Sequence, residues 1–312
     1  MPTDMPIEIA SLAQLQQAPI EHVLHIIDEG LVHLPTYRDL YYRWERQQWQ
    51  AQEIDFALDR QQWQALPQNE REARLIAFSS FFKGEECVTN TLAPYVVAMP
   101  EDEMRFFLTT QLVDEARHTI FFDRFFKEAL GIDEGSLEAT LAVVQKHMSD
   151  EARYILIDAL HDVAERIRQE PSNLTHLVHG VTLYHIIIEG TMALAGQRDM
   201  LEIYREQDLF PAFRAGFTAV ARDESRHVIF GVKFLRDMIQ RDKIYAEVVH
   251  DALNKYVEVT MAAMTPVPEQ AEHRLAKGED PWAPLRYAQE SLTKKLKVIG
   301  IRMPLLSASP PH

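Results

Sequence analysis

The sequence predicts an all-α protein, a four-helix bundle core with additional helices. Three observations predict it. Strand signals are scarce, whereas helical periodicity runs through most of the chain. Four segments, about 69–98, 101–130, 172–203 and 208–240, each predict a helix of roughly 30 residues, about 45 Å at the standard rise, a length usual in bundles. Two pentapeptides of nearly the same spelling, Asp114-Glu115-Ala116-Arg117-His118 and Asp223-Glu224-Ser225-Arg226-His227, stand 109 residues apart.

In chain order, short helices are predicted over 20–29 and 36–48. The first long segment carries Phe78, Phe81, Phe82, Val88 and Leu92 on one face. Pro94 predicts a kink or an early end, because its ring clashes with the preceding helical turn. Glu101, Asp102 and Glu103 put acid in the first turn of the second long segment, and Gly131 follows its last turn. A helix over 148–169 comes next. Pro171-Ser172-Asn173 opens the third long segment with capping residues. After the fourth, helices are predicted over 244–263 and 283–299, and the Pro-, Glu- and Gly-rich stretch Pro266 to Pro284 reads as a loop. The C-terminal helices thus occupy 244–300, and nothing in 1–312 suggests an interdomain linker, so one domain is expected.

Composition narrows the function. A net charge of -15 excludes the basic surface that nucleic-acid binding requires. Met1 to Leu12 lacks the basic start and apolar stretch of a secretory signal. No apolar run approaches the roughly 18 residues of a membrane span. The lone Cys87 excludes an internal disulfide framework and suits a reducing compartment, so a cytoplasmic protein is expected.

The two pentapeptides carry the chemistry. Each contains a Glu-x-x-His, and residues three apart on a helix share a face, so Glu115 with His118 and Glu224 with His227 each aim a carboxylate and an imidazole at one point. Each pair has an upstream glutamate on an apolar stripe: Glu85, 30 residues before Glu115, and Glu189, 35 before Glu224. Glu85 shares the Phe78 face and Glu86 does not. Glu247 with His250 has the same spacing without the surrounding match and reads as a chance occurrence. One Glu from each of two helices and a Glu-x-x-His from each of two others is the ligand set of a dinuclear carboxylate centre. Four buried carboxylates need compensation, and two divalent cations supply it. Carboxylates and imidazoles without thiolate suit iron or manganese. Asp114 and Asp223 are expected to accept the second imidazole N–H of the ligand His in the other pair, or else to pair with Arg117 and Arg226.

These motifs resemble those of the ferritin-like superfamily and, within it, the ribonucleotide reductase small subunit. Gly84-Glu85-Glu86-Cys87-Val88-Thr89, Phe121-Phe122, Tyr184-His185-Ile186-Ile187-Ile188-Glu189-Gly190-Thr191 and Phe230-Gly231 add a closer resemblance, to the small-subunit-like ligand-binding oxidases, over about 69–240. The resemblance implies manganese held by Glu85, Glu115 and His118, iron held by Glu189, Glu224 and His227, and Glu115 bridging; two irons are the alternative. It further implies O2 activation, two-electron C–H oxidation, a bound long-chain fatty acid, a homodimer, and an ether joining Tyr184 to the Cβ of Val88. Tyr184 lies five residues before Glu189, which is not one face of a regular helix, so a π-bulge is expected there.

Other members of the superfamily set the alternatives: a ribonucleotide reductase small subunit, a soluble desaturase, an arylamine N-oxygenase or a ferritin-type iron store. Phe122 stands where many small subunits carry a radical tyrosine. The basic-then-apolar end, Leu296 to His312, lacks their acidic tail. Phe106, Phe107, Phe121, Phe122, Phe125 and Phe126 read as core, with a tunnel wall as the functional alternative. Lys83, Arg117 and Arg226 are candidate carboxylate anchors. His185 reads as a core or surface histidine, with a hydrogen bond near the centre as the functional alternative, and Cys87 reads as a small buried filler. Lys294, Lys295, Lys297 and Arg302 read as a solvated helix end.

Overall fold

The structure is a computed structural model that describes residues 7–303. It is a ferritin-like helical fold, with no strand among the described residues. The readings of the first residues and of Pro310-Pro311 lie outside that range.

Helices α1 (Ile20–Val32), α2 (Tyr37–Arg46) and α3 (Ala57–Ala65) precede the bundle. The bundle's first helix, α4 (Gln68–Thr91), stops where Pro94 requires, and α5 (Ala93–Ala98) restarts with that proline in its first turn. Next, α6 (Asp102–Arg124) continues as a π turn over Phe125–Leu130 and ends at Gly131, whose φ is 73°. Then follow α7 (Leu137–Val144) and α8, which covers 150–169 with a π turn at Tyr154–Ala159. The long α9 (Leu174–Glu206) is π-helical over Thr182–Ala193. Three helices follow α10 (Pro211–Arg241): α11 (Ile244–Met264), α12 (Pro268–Ala276) and α13 (Ala283–Ile299).

The long α4, α6, α9 and α10 form the bundle; α4 packs on α6, and α10 on the π segment of α9. The N-terminus of α10 is capped from a distance: Asp59 accepts from the backbone N–H of Ala212 (3.0 Å) and Phe213 (2.7 Å). One side of the bundle core is rich in rings, including Phe78, Phe82, Phe121, Phe125, Phe213 and Phe217. The other is largely aliphatic, built around Ile155, Val178, Val181, Ile186, Ile187 and Val228.

Two sequence expectations are corrected, the loop and the solvated Lys295. The stretch from Pro266 to Pro284 contains α12, started by Pro268 and held by Arg274 on Asp199 (2.8 and 2.9 Å) and Lys277 on Glu70. Those partners are distant in sequence, so local composition gave no sign of the helix. Helix α9 is long and apolar enough, by length and composition, to cross a membrane, although no single run suggested it; 83% of its apolar window is buried in the protein. Lys295 is not solvated: it is 1% exposed and donates to Ser291.

Candidate metal centre

The six acids and histidines named from sequence converge. Glu85, Glu115, His118 and Glu224 form one group and Glu115, Glu189, Glu224 and His227 another, with ligand atoms within 4.8 Å of one another in each. All six are buried. Helical spacing explains the local part: Glu115 and His118 share one face of α6, Glu224 and His227 one face of α10. Glu85 turns inward from α4, while Glu86 turns outward to Lys83 and Asn90. Glu115 belongs to both groups, as a bridging residue must. So does Glu224, which the sequence reading assigned to the second metal alone.

The second half departs from regular geometry. The π segment of α9 brings residues five apart to one side, so Tyr184 and Glu189 both reach the cluster. Tyr184 donates to Glu115 Oε1 at 2.6 Å. The expected bulge is present, and it extends through twelve residues.

The imidazoles are oriented crosswise. His118 turns Nδ1 toward Glu85 (3.3 Å) and Glu115 (3.6 Å), with Nε2 at 3.3 Å from Asp223. His227 turns Nδ1 toward Glu189 (3.2 Å) and Glu115 (3.3 Å), with Nε2 at 3.2 Å from Asp114. Each aspartate thus serves the histidine of the opposite helix, which leaves Nδ1 as the ligand atom. The ion-pair reading of these aspartates holds as well. Arg226 donates to Asp114 and Asp223, both at 2.8 Å, and Arg117 bonds to both acids. These bonds tie the two arginines to the aspartates, Lys83 pairs with Glu86, and none of the three lines the cavity that meets the cluster. Two indoles absent from the sequence reading complete the layer: Trp44 Nε1 donates to Asp114 (2.9 Å) and Trp49 Nε1 to Asp223 (2.8 Å). Both lie some 70 or more residues away in sequence, so no local spacing marks them.

Electrostatics fit a cation pair. Burial pushes Glu85 up to about 7, and burial with three neighbouring carboxylates holds Glu224 well above the ordinary range. Burial also disfavours charge on Glu115, but His118 and His227 outweigh it and hold that carboxyl well below its usual value. Glu189 Oε2 and Glu224 Oε2 are buried without a hydrogen-bond partner. Orphaned carboxylate oxygens facing imidazole Nδ1 atoms match the oxygen- and nitrogen-rich donor set of iron or manganese. Glu247 and His250 take no part in either group.

A cavity of about 660 Å³ meets the cluster. It is bordered by the four glutamates with Tyr184 and Val88, by the apolar Phe81, Leu156, Ile188 and Met192, and by Glu70, Arg74 and residues of α12. Glu70 and Glu85 are 15 residues apart on α4, so the cavity runs about 22 Å along that helix. The six phenylalanines weighed as a tunnel wall are not among its lining: Phe106 is exposed, and the other five are fully buried in the core. Cys87 is a buried filler, as expected, whereas His185 enters the hydrogen-bond network of the site.

A family model described as the ribonucleotide reductase small chain matches residues 32–277. Solved structures of an R2-like ligand-binding oxidase are similar to this chain. A valine-to-isoleucine variant with an anaerobically reconstituted Mn/Fe cofactor has a TM-score of 0.74 at 25% identity, covering 85% of this chain and 93% of its own. A tyrosine-to-phenylalanine variant with aerobically reconstituted Mn/Fe gives 0.75 at 25% identity and the same coverages. A glycine-to-leucine variant with a non-activated Mn/Mn cofactor gives 0.74 at 25% identity, again with those coverages.

Proposed function

This chain belongs to the ribonucleotide reductase small-chain family, and from that premise we propose that it is a manganese–iron oxidase that binds a long-chain fatty acid and joins Tyr184 to Val88. The observation that carries the reading is the cavity, because it puts the four glutamates, Tyr184 and Val88 on one space with an apolar extension.

Glu85, Glu115 and His118 would hold the manganese, and Glu189, Glu224 and His227 the iron, with Glu115 common to both groups. The metals supply the electron transfer to dioxygen. The protein excludes water, orients the histidines through Asp114 and Asp223, and presents Tyr184. Ether formation removes the phenolic hydrogen and the Val88 Cβ hydrogen, two electrons and two protons in all. Dioxygen would be the oxidant for these, and the metals, when bound in reduced form, would supply the two further electrons, with two further protons from solvent, that balance its reduction to water. A long-chain acid would set its carboxylate at the glutamate end of the cavity and its chain along the apolar lining, and the length of about 22 Å suits such a chain. Phe122, packed against Phe82 and Phe213, leaves no tyrosine at the position of the usual small-subunit radical.

The whole chain forms one domain in this reading, and the free, buried Cys87 supports a cytoplasmic location. A second copy of the chain is assigned to the outer face of α6. Phe106, Val113 and Ile120 are 57%, 49% and 55% exposed there at seven-residue spacing, an apolar seam suited to pairing of like helices. Val113→Asp is expected to yield monomers by light scattering; an unchanged mass rejects the seam.

Elemental analysis with tryptic peptide mass spectrometry, after aerobic reconstitution with both metals, tests the function. The expected result is one manganese and one iron per chain, with a Tyr184–Val88 peptide pair lighter by two hydrogens. Tyr184→Phe is expected to keep the metals and lose the joined pair. Two metals without a joined peptide favour a reductase small subunit or another oxygenase.

A further inference from the structure

One buried amide at the centre belongs to none of the motifs. Gln111 lies on α6 four residues before Glu115, on the same helix face, and is fully buried. Its Nε2 stands 2.7 Å from the Tyr184 hydroxyl and 3.1 Å from Glu189 Oε1, and its Oε1 stands 3.1 Å from His185 Nε2. We propose that Gln111 is a positioning residue that pins the Tyr184 oxygen at the metal cluster with its proton directed to Glu115.

Donor and acceptor bookkeeping leaves one arrangement. A carboxylate only accepts, so the Tyr184 O–H donates to Glu115 Oε1 at 2.6 Å. The phenolic oxygen then has a lone pair to offer, and an amide N–H meets it. The second N–H of the same amide donates to Glu189. Turning the amide over would set its carbonyl oxygen against a carboxylate oxygen and an N–H against the His185 ring. His185 therefore carries its proton on Nε2 and donates to Gln111. Burial, with the nearby His227, brings the His185 pKa down to about 3, in keeping with a neutral ring.

The surroundings seat this array. Phe230 packs on His185 with ring centroids 5.5 Å apart. A Cβ at Gly231 would collide with His185 Cβ and stand 2.9 Å from its Cγ, so α10 approaches this close only through a glycine. Gly231 and His185 thus hold Gln111 by its oxygen, and Gln111 holds Tyr184 and Glu189 by its two N–H groups. One amide couples the tyrosine to a ligand of the second metal across two helices.

This inference rests on the assignment of Tyr184 as the oxygen donor of the ether, and its test separates the two. Gln111→Met removes both N–H donors at similar volume. Gln111→Leu also removes both donors, and serves if the first variant does not fold. In metal-free protein, the tyrosine doublet in ultraviolet resonance Raman spectra, taken as the difference from the matching Tyr184→Phe protein, reports whether that hydroxyl accepts as well as donates. The expected result is a doublet of mixed donor–acceptor type in the parent and of donor type in either variant. After aerobic loading with both metals in excess, the yield of joined peptide per metal-loaded chain is expected to fall by about tenfold or more. An unchanged doublet, or an undiminished yield, overturns the role of Gln111. If the parent forms no joined peptide, the ether assignment fails, and the doublet still decides whether Gln111 holds Tyr184.

Discussion

The two halves of the centre start from nearly the same five residues and end differently. In the half of Glu85, Glu115 and His118, the carboxylates arrive on regular α-helix, and Val88 lies three residues beyond its ligand on α4. In the half of Glu189, Glu224 and His227, α9 is π-helical through twelve residues, and Tyr184 reaches the cluster from five residues away. The ligand sets are alike, so holding metal does not require the distortion. What the π segment adds is a phenol beside the cluster. A wider helical turn costs hydrogen-bond geometry, and it is spent where a regular helix would send Tyr184 and Glu189 to different faces.

The largest expected effect erases the contrast altogether. Glu115→Ala removes a carboxylate within reach of both metals, and bound metal should fall well below about two per chain on elemental analysis; full retention rejects Glu115 as the shared ligand. Inserting one alanine after Ile187 separates the halves. It sets Tyr184 and Glu189 six residues apart, a spacing that shares no side in either α- or π-helical geometry. The second metal should be lost and the first kept, as read by anomalous scattering at each metal edge. Loss of both, or of neither, means that the π geometry does not act on one half alone.

The crosswise aspartates sharpen the comparison more gently. Because Asp223 holds His118 and Asp114 holds His227, Asp223→Asn should weaken the first site and Asp114→Asn the second, each by roughly 10- to 100-fold in affinity. Equal weakening of both sites by either change would show one shared charge network instead of two addressed histidines.

The smallest effect concerns α13, which packs on α9 and α10, the two helices of the distorted half. Lys295 has its pKa brought down to about 7 by burial, the nearby Lys294 adding to the shift. Below pH 7 the folded protein bears the full cost of a buried charge. Between pH 7 and about 10.5 the unfolded chain binds a proton that the folded chain does not, so this cost fades as pH rises. Lys295→Met should therefore raise Tm at pH 7 by roughly 3–6 °C, with the gain shrinking toward pH 10. A gain that grows with pH contradicts a buried, charge-averse lysine.

Much of the centre was legible because its information is local. An i,i+3 pair declares a shared face before any packing is known, and the stripe of Phe78, Phe82 and Val88 distinguished Glu85 from Glu86. The aspartates were legible for the same reason, each being next to a ligand. Gln111, Trp44 and Trp49 were not, since what marks each is a partner far away in sequence. The short α3, α7 and α12 were missed on similar grounds. None is long enough to show a clear period, and α12 is held by ion pairs to α4 and α9.

By itself the sequence determined the all-α class, the four long bundle helices and the six inward-facing acids and histidines, because helical period and apolar stripes are properties of a few consecutive residues. Only the tertiary structure decided the rest: that Glu224 as well as Glu115 reaches both groups, that each aspartate serves the opposite histidine, that Lys295 is buried, and that one amide ties Tyr184 to Glu189. Those facts depend on how separate helices approach one another, and that approach is set by side chains tens to hundreds of residues apart packing into one core.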